Sequence, residues 1–257
     1  MRANRLPAAS GLRWIAGGFL IFRAAPLRQL ALDIVALLAA NVAFSLPVAG
    51  FPATWLLLPA LVVGLHTLAR SAALGSPPRF ADIFAGFRDG FRAQLRMGAV
   101  FLAAMALALA ASALADGGRL AQAMLGLDPL TLDGLYDDDL RDAFMVWGAC
   151  EVGVLSLLWY GPLLAAWQGV PAVRAAFYSV AAVAINWRPV VVFGLAWAAL
   201  FMLAGVAVLA VAALLYGGGL ERAYMAMLAL VCVLTPSWFG SSYLSYCEIF
   251  GVAPDPS

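Results

Sequence analysis

Six apolar stretches constrain this chain more than any other feature, at about 30–48, 53–72, 97–115, 143–167, 190–216 and 223–247. At a rise of about 1.5 Å per residue, each is long enough to cross a hydrocarbon core of ~30 Å. Backbone amides find no water there, so every crossing segment must satisfy its own hydrogen bonds as a helix. Charged residues make up 11% of the 257 and mean hydropathy is +0.94. A globular domain carries about 25% charge. The chain therefore reads as an all-α, polytopic membrane bundle of six transmembrane helices, one membrane domain over 1–257.

Six crossings place both termini on one side, and the arginines say which. All 15 basic residues are Arg. Arg2, Arg5, Arg13, Arg23, Arg28, Arg70, Arg79, Arg88, Arg92, Arg96, Arg174 and Arg188 fall on the terminal side, leaving Arg119, Arg141 and Arg222 opposite. The positive-inside rule makes both termini cytoplasmic. The segment Trp14–Phe22 is bounded by Arg13 and Arg23 and broken by Gly17-Gly18, so it reads as a retained interfacial helix, not a cleaved signal peptide. Trp55 and Trp147 fall at the outer boundary, Trp167 and Trp187 at the inner one, as an aromatic belt requires.

A threefold internal pattern divides the chain into units of about 10–72, 80–167 and 172–250. Each opens with a short amphipathic cytoplasmic stretch ending in aromatic-Arg, followed by a span out and a span back. The marks are Ile15, Gly18-Phe19 and Phe22-Arg23; Phe84, Gly86-Phe87 and Phe91-Arg92; and Val180, Val183 and Trp187-Arg188. Their spacing of three or four residues puts them on one helical face, with Arg23, Arg92 and Arg188 toward lipid phosphate. Each returning span carries a proline, Pro59, Pro162 or Pro236. Kinked helices of this kind either line a transport cavity or pack tightly. Ala104, Ala108 and Ser112, and Ala36 with Ala40, are spaced for close helix contact.

Few polar groups lie within the spans. Glu151, well inside the fourth, is the sharpest candidate for cation binding, proton relay or ligand contact, since an intramembrane carboxylate is costly. His66, the only histidine, fits an interfacial packing role better than a metal site. Asp33 sits near the start of the first span with Arg28 and Arg23 close by for pairing, and Asn41 and Ser45 continue a polar strip. Tyr160, next to Gly161-Pro162, is a further ligand candidate. The outer segment 116–142 gathers Asp116, Asp128, Asp133, Asp137, Asp138, Asp139 and Asp142, which read as a solvated acidic loop before a cation site. Cys150, Cys232 and Cys247 share no metal-ligand spacing and imply no disulfide framework.

There is no phosphate loop, paired-histidine zinc motif or nucleophile elbow. The chain reads as no enzyme, with no cofactor, no metal and no nucleic-acid partner. The partners expected are membrane lipids and an envelope protein, with the oligomeric state left open.

Several strings carry a family resemblance: Arg13-Trp14-Ile15-Ala16-Gly17-Gly18-Phe19 with Phe22-Arg23; Phe84-Ala85-Gly86-Phe87-Arg88-Asp89-Gly90; Gly161-Pro162-Leu163 to Trp167-Gln168-Gly169-Val170-Pro171; Asn186-Trp187-Arg188; and Ser245-Tyr246-Cys247-Glu248-Ile249-Phe250. Together they resemble a family of uncharacterised proteobacterial integral membrane proteins named after a Burkholderia locus tag. More distantly, the plan is similar to YciC-type inner-membrane proteins and to the membrane domain of some glycerophosphodiester phosphodiesterases. Gln168 and Cys247 depart from the pattern, where His and Arg are usual. The resemblance implies a six-helix inner-membrane protein and transfers no catalytic residue. The function expected is binding or scaffolding of a lipid or another apolar envelope molecule, against secondary transport or a channel with Glu151 as the coupling group.

Overall fold

The computed structural model describes residues 3–46, 50–88, 90–128, 137–217 and 219–252. Among these every regular element is helical: α1 (Ser10–Ala24), α2 (Pro26–Phe44), α3 (Gly50–Ala73), a 3-10 turn (Phe80–Phe84) running into α4 (Ala85–Arg88), α5 (Phe91–Asp116), α6 (Arg119–Met124), α7 (Asp138–Trp167), α8 (Ala172–Ile185), α9 (Trp187–Tyr216) and α10 (Leu220–Phe250). Six of them, α2, α3, α5, α7, α9 and α10, are long and apolar enough to span a membrane. They begin up to six residues before the apolar runs, because Arg and Asp are tolerated in a first turn that reaches the interface. Residues 47–49, between the first two spans, lie outside the described residues, as do Asp133 of the acidic segment and Gly218.

The chain divides into two compact units, one of Met1–Leu37, Gly64–Ile83 and Ala184–Ser257, the other of Leu38–Val63 and Phe84–Val183. In the first, α1 lies along α9 and α10. Trp14 meets Phe193 edge-on at 6.1 Å, and Phe193, Trp197 and Trp238 form a continuous ring cluster. The start of the chain is tied beside its end: the Asn4 backbone N–H donates to the Ile249 carbonyl at 2.7 Å. Asn186 accepts from the Leu6 N–H and donates to the Asn4 carbonyl. The start of α1, the start of α9 and the end of α10 thus meet at one end of this unit, as an even number of crossings requires.

In the second unit α5 and α7 pack along their lengths. Phe101, Met105, Ala108, Leu109, Val154 and Leu158 form the core, with Trp55 and Trp147 packed against it. Both tryptophans thus pack on the protein core. Ala108 and Ser112 of the small-residue row are buried here, and the Ser112 hydroxyl returns to the Leu109 carbonyl of its own helix.

The three prolines share one use: each marks where a short helix docks. Gly18 of α1 lies against the Ser237 carbonyl and Ser241 of α10, just after Pro236. Gly86 of α4 lies against Ala60, next to Pro59, while the Ile83 carbonyl lies against Gly64. Ala176 of α8 lies beside Gly161, next to Pro162. Ser179 of α8 then enters the α7 hydrogen-bond ladder. The Tyr160 N–H donates to its hydroxyl at 2.9 Å, and that hydroxyl donates to the Ser156 carbonyl at 2.6 Å. Each short helix thus docks on the returning span before it in the chain, and the first docks on the last.

The short helices turn small residues inward and large apolar ones outward. The buried positions of α8 are Ala172, Ala175, Ala176, Ser179 and Ala182, while Val173 and Phe177 are 70% and 66% exposed. On α1, Gly11 and Gly18 face in and Leu12 and Leu20 face out; at the 3-10 turn and α4, Ala85 and Gly86 face in and Phe80 and Phe84 out. A short helix whose outer face is its greasiest one is built for contact with hydrocarbon or the interface. The helix α9 carries the same sign, with Leu195, Met202, Leu203, Val206 and Leu214 all exposed.

Candidate functional site

The three expected headgroup arginines, Arg23, Arg92 and Arg188, are all exposed. Their register differs from the expected one. Phe22-Arg23 closes α1, but Phe91-Arg92 and Trp187-Arg188 open the spans α5 and α9. The residues that close α4, as Phe22-Arg23 closes α1, are Phe87-Arg88. With that pairing a longer repeat appears: Phe19-x-x-Phe22-Arg23, then Gln29-Leu30, against Phe84-x-x-Phe87-Arg88, then Gln94-Leu95, each offset by 65 residues. Pairing the arginines by the aromatic beside them hid this match. Arg188 lies over the Trp187 ring, 5.5 Å from its centroid, a cation–π contact that holds its head near the helix start.

The four intramembrane candidates divide between the units, Asp33 and His66 in the first, Tyr160 and Glu151 in the second. His66 is buried; its Nε2 is 3.1 Å from the Ser242 hydroxyl and its ring stands edge-on to Phe239 at 5.0 Å. That is a satisfied packing histidine. Tyr160 is fully buried where Ser179 enters α7. Glu151 is half-buried, and its Oε2 has no hydrogen-bond partner among the described residues.

Asp33 is fully buried, and neither carboxylate oxygen has a partner among the described residues, so the expected pairing with Arg28 or Arg23 is not made. Gln29, one turn earlier on the same face, is equally buried, and both its amide atoms lack a partner. Gln29, Asp33 and Ala36 are the buried positions of α2, whose outward residues include Leu27, Val35 and Leu38. The polar strip expected to run on through Asn41 and Ser45 ends before them, since both are exposed. Gln94, the repeat counterpart of Gln29, does have a partner. Its Nε2 donates to the Pro162 carbonyl at 3.1 Å, leaving Oε1 alone unpaired.

A second cluster escaped the sequence reading. Glu248, near the end of α10, accepts from Trp14 Nε1 at 2.6 Å, Arg13 Nη2 at 2.8 Å and the Ser10 hydroxyl at 3.3 Å. The sequence signal was its conjunction with Arg13-Trp14 in the strings of the family resemblance, which separation along the chain concealed.

The acidic outer segment is held by caps and ion pairs. Asp116 accepts from the Gly118 and Leu120 N–H groups at the start of α6. Asp137 caps α7 through the Asp139 N–H and pairs with Arg119 at 2.6 Å. The Arg119 hydrogen bond, then the Asp139 N–H, hold the Asp137 carboxyl below the ordinary aspartate value. Arg141 pairs with Asp138 and Asp142. Among the described residues no three His, Cys, Asp or Glu side chains gather around a common point suited to a metal ion.

No family model matches the chain, and no solved structure does. A curated relative does: the probable inner membrane protein BTH_II0599 of Burkholderia thailandensis is 32% identical over 259 residues, covering 98% of this chain and 95% of the relative. Identity of that extent, over a bundle of six membrane-length helices, agrees with the expected resemblance, whereas nothing in the match bears on YciC-type proteins or glycerophosphodiester phosphodiesterases. The chain belongs to the membrane-protein family of this Burkholderia inner membrane protein.

Proposed function

We propose that this protein is a non-enzymatic lipid-binding or scaffolding protein of the bacterial inner membrane, with both termini cytoplasmic. One observation carries the reading: three short helices dock by small residues and turn large apolar side chains outward. Exposed Arg23, Arg92 and Arg188 stand at the end of α1 and at the starts of α5 and α9. A surface of this kind suits phospholipid, with acyl chain against the apolar face and headgroup phosphate against the guanidinium. The arginine bias supports the orientation.

The test is native mass spectrometry of the protein released from mild detergent, with the retained lipid identified. Wild type is expected to keep anionic phospholipid at fixed stoichiometry. The triple variant Arg23→Gln, Arg92→Gln, Arg188→Gln is expected to lose it while keeping its thermal stability. Retention unchanged in that variant would remove the arginines from the reading. Single cysteines near residues 4 and 252, probed in intact spheroplasts with a membrane-impermeant reagent, should stay unlabelled until the membrane is opened.

The half-buried, unpartnered carboxylate oxygen of Glu151 favours a second reading, transport or conduction. Cysteine at 151 and at neighbouring α7 positions should then react with a soluble thiol reagent in membranes, and protection at every position would end that reading.

A further inference from the structure

The Gln29–Asp33 pair has a demand that the protein does not meet. It is two side chains with four polar atoms, all fully buried and all without a partner among the described residues. Asp33 lies seven residues, about 10 Å, into α2. Leaving an ionised carboxylate unpaired there is among the costliest arrangements a bundle can hold, and neutral amides left unpaired cost about 1–3 kcal/mol each.

The internal repeat supplies a control within the same chain. At the counterpart positions Gln94 is tied to the Pro162 carbonyl, and the residue matching Asp33 is Gly98. Gly98 lies so close to the Leu56 backbone that a Cβ there would collide. The second copy of the motif therefore spends both positions on helix packing. The first has a carboxylate where the second has the close-contact glycine, and leaves its glutamine without a partner among the described residues. Packing explains Gln94 and Gly98 and does not explain Gln29 and Asp33.

We propose that Gln29 and Asp33 form an intramembrane site for one monovalent cation, an alkali metal ion or a proton. The charge follows from the residues. One carboxylate, with no basic partner among the described residues, is balanced by a single positive charge. The ligand chemistry follows too: Asp33 Oδ1 and Oδ2 with Gln29 Oε1, one turn apart on the buried face of α2, offer oxygens suited to a hard cation, and Gln29 Nε2 remains to hold a water of its hydration shell. This site goes beyond the lipid-binding reading and does not depend on it.

The experiment is carbodiimide labelling of the full chain in nanodiscs, mapped by peptide mass spectrometry. It uses N-methylglucamine buffer with sodium or potassium chloride added. Asp33 is expected to label in the organic-cation buffer and to be protected by one of the metal ions, which identifies an alkali ion as the occupant. Labelling that neither salt slows, and that falls as the pH is raised through neutrality, identifies the proton instead. Asp33→Asn should remove the mapped label. Gln29→Ala should raise the concentration giving half-protection by about tenfold, one lost ligand of roughly 1.4 kcal/mol. Gln94→Ala should leave it unchanged. No label at Asp33, a label that neither salt nor pH alters, or protection unchanged in Gln29→Ala would overturn the proposal. If Gln29→Ala fails to fold, the salt and pH series on wild type still decides. Lipid retained by the same sample reports separately on the lipid-binding reading.

Discussion

Ser179 donates its hydroxyl to the Ser156 carbonyl, 2.6 Å away, and so takes a position that the helix's own amide ladder would fill. The Tyr160 N–H bonds the same hydroxyl from the other side at 2.9 Å. A side chain inserted into the ladder is one of the few causes of a helix bend, and here it stands two residues before Pro162. Ser179→Ala removes the bridge; the Tyr160 N–H and the Ser156 carbonyl, four residues apart, regain each other only if α7 closes up there, and otherwise each stays unpaired at about 1–3 kcal/mol. A loss of about 2 kcal/mol or more in unfolding free energy is expected, read by thermal or denaturant titration in mild detergent. Ser156→Ala is the matched control: its hydroxyl only returns to the Val152 carbonyl of its own helix, so its loss should cost well under 1 kcal/mol. Equal losses in both variants would show that the inserted hydroxyl carries no weight.

Glycines on the two kinds of helix surface should behave oppositely. A Cβ on Gly18 would run into the Ser237 carbonyl and the Ser241 N–H, backbone atoms that cannot swing away. Gly18→Ala is therefore expected to push α1 off α10 and to cost about 2–4 kcal/mol, at the upper end of overpacking effects. Gly153, on α7, has nothing within 4 Å of the same built atom. Gly153→Ala should be neutral, or stabilising by up to about 1 kcal/mol through helix propensity. Melting temperatures of the two variants in one detergent check both signs.

The spans were legible because hydrocarbon leaves the backbone no alternative to helix, and hydropathy alone finds them. Where short helices dock was not legible in detail. Gly18, Gly86 and Ala176 are small residues like many others here, and only three-dimensional neighbours show that each meets a returning span beside its proline. The shared proline was visible; its partner was not. Asp33 and His66 illustrate the limit for polar groups. Both are isolated polar residues in apolar runs, and sequence gives them similar standing. Packing gives His66 a serine and a phenylalanine, and gives Asp33 no partner among the described residues. Glu248 shows the reverse error: it reads as an ordinary acid at a helix end, and its three donors come from residues more than 230 positions away.

The Arg119–Asp137 pair makes a prediction about protonation. The Arg119 guanidinium, with the Asp139 N–H, stabilises the charged carboxyl, so Asp137 titrates below the ordinary aspartate value. A group whose folded value is depressed contributes its stabilisation above its unfolded value. That contribution fades as the pH falls through the depressed one. Both side chains are well exposed, so the effect is local: the first turn of α7 should loosen in acid, with little change in global stability. Carboxyl-carbon NMR of Asp137 should show the depressed midpoint. Arg119→Gln should raise it, though not fully to the ordinary value, because the Asp139 N–H remains. A midpoint unaffected by Arg119→Gln would mean that the pair is not populated in solution.

Trp14 and Glu248 close one end of the first unit, and their variants should separate hydrogen bonding from charge. Trp14 is 3% exposed, and its Nε1–H donates to Glu248 Oε2 at 2.6 Å. Arg13, by contrast, reaches Glu248 from a side chain that is 60% exposed. An exposed ion pair contributes at most about 1 kcal/mol, whereas a buried donor stripped of its acceptor loses about 1–3 kcal/mol. Arg13→Gln should therefore cost little. Glu248→Gln keeps an oxygen for Trp14 and should cost less than Glu248→Ala, which strands the indole N–H and the Ser10 hydroxyl contact together. The order expected in denaturant titration is Arg13→Gln, then Glu248→Gln, then Glu248→Ala, the last near 2 kcal/mol or above. Trp14→Phe removes the donor and keeps much of the ring, so in that background Glu248→Ala should cost less than it does in wild type. If the two substitutions simply add, the indole and the carboxylate are not coupled, and α1 is held to α10 by its small-residue contacts alone.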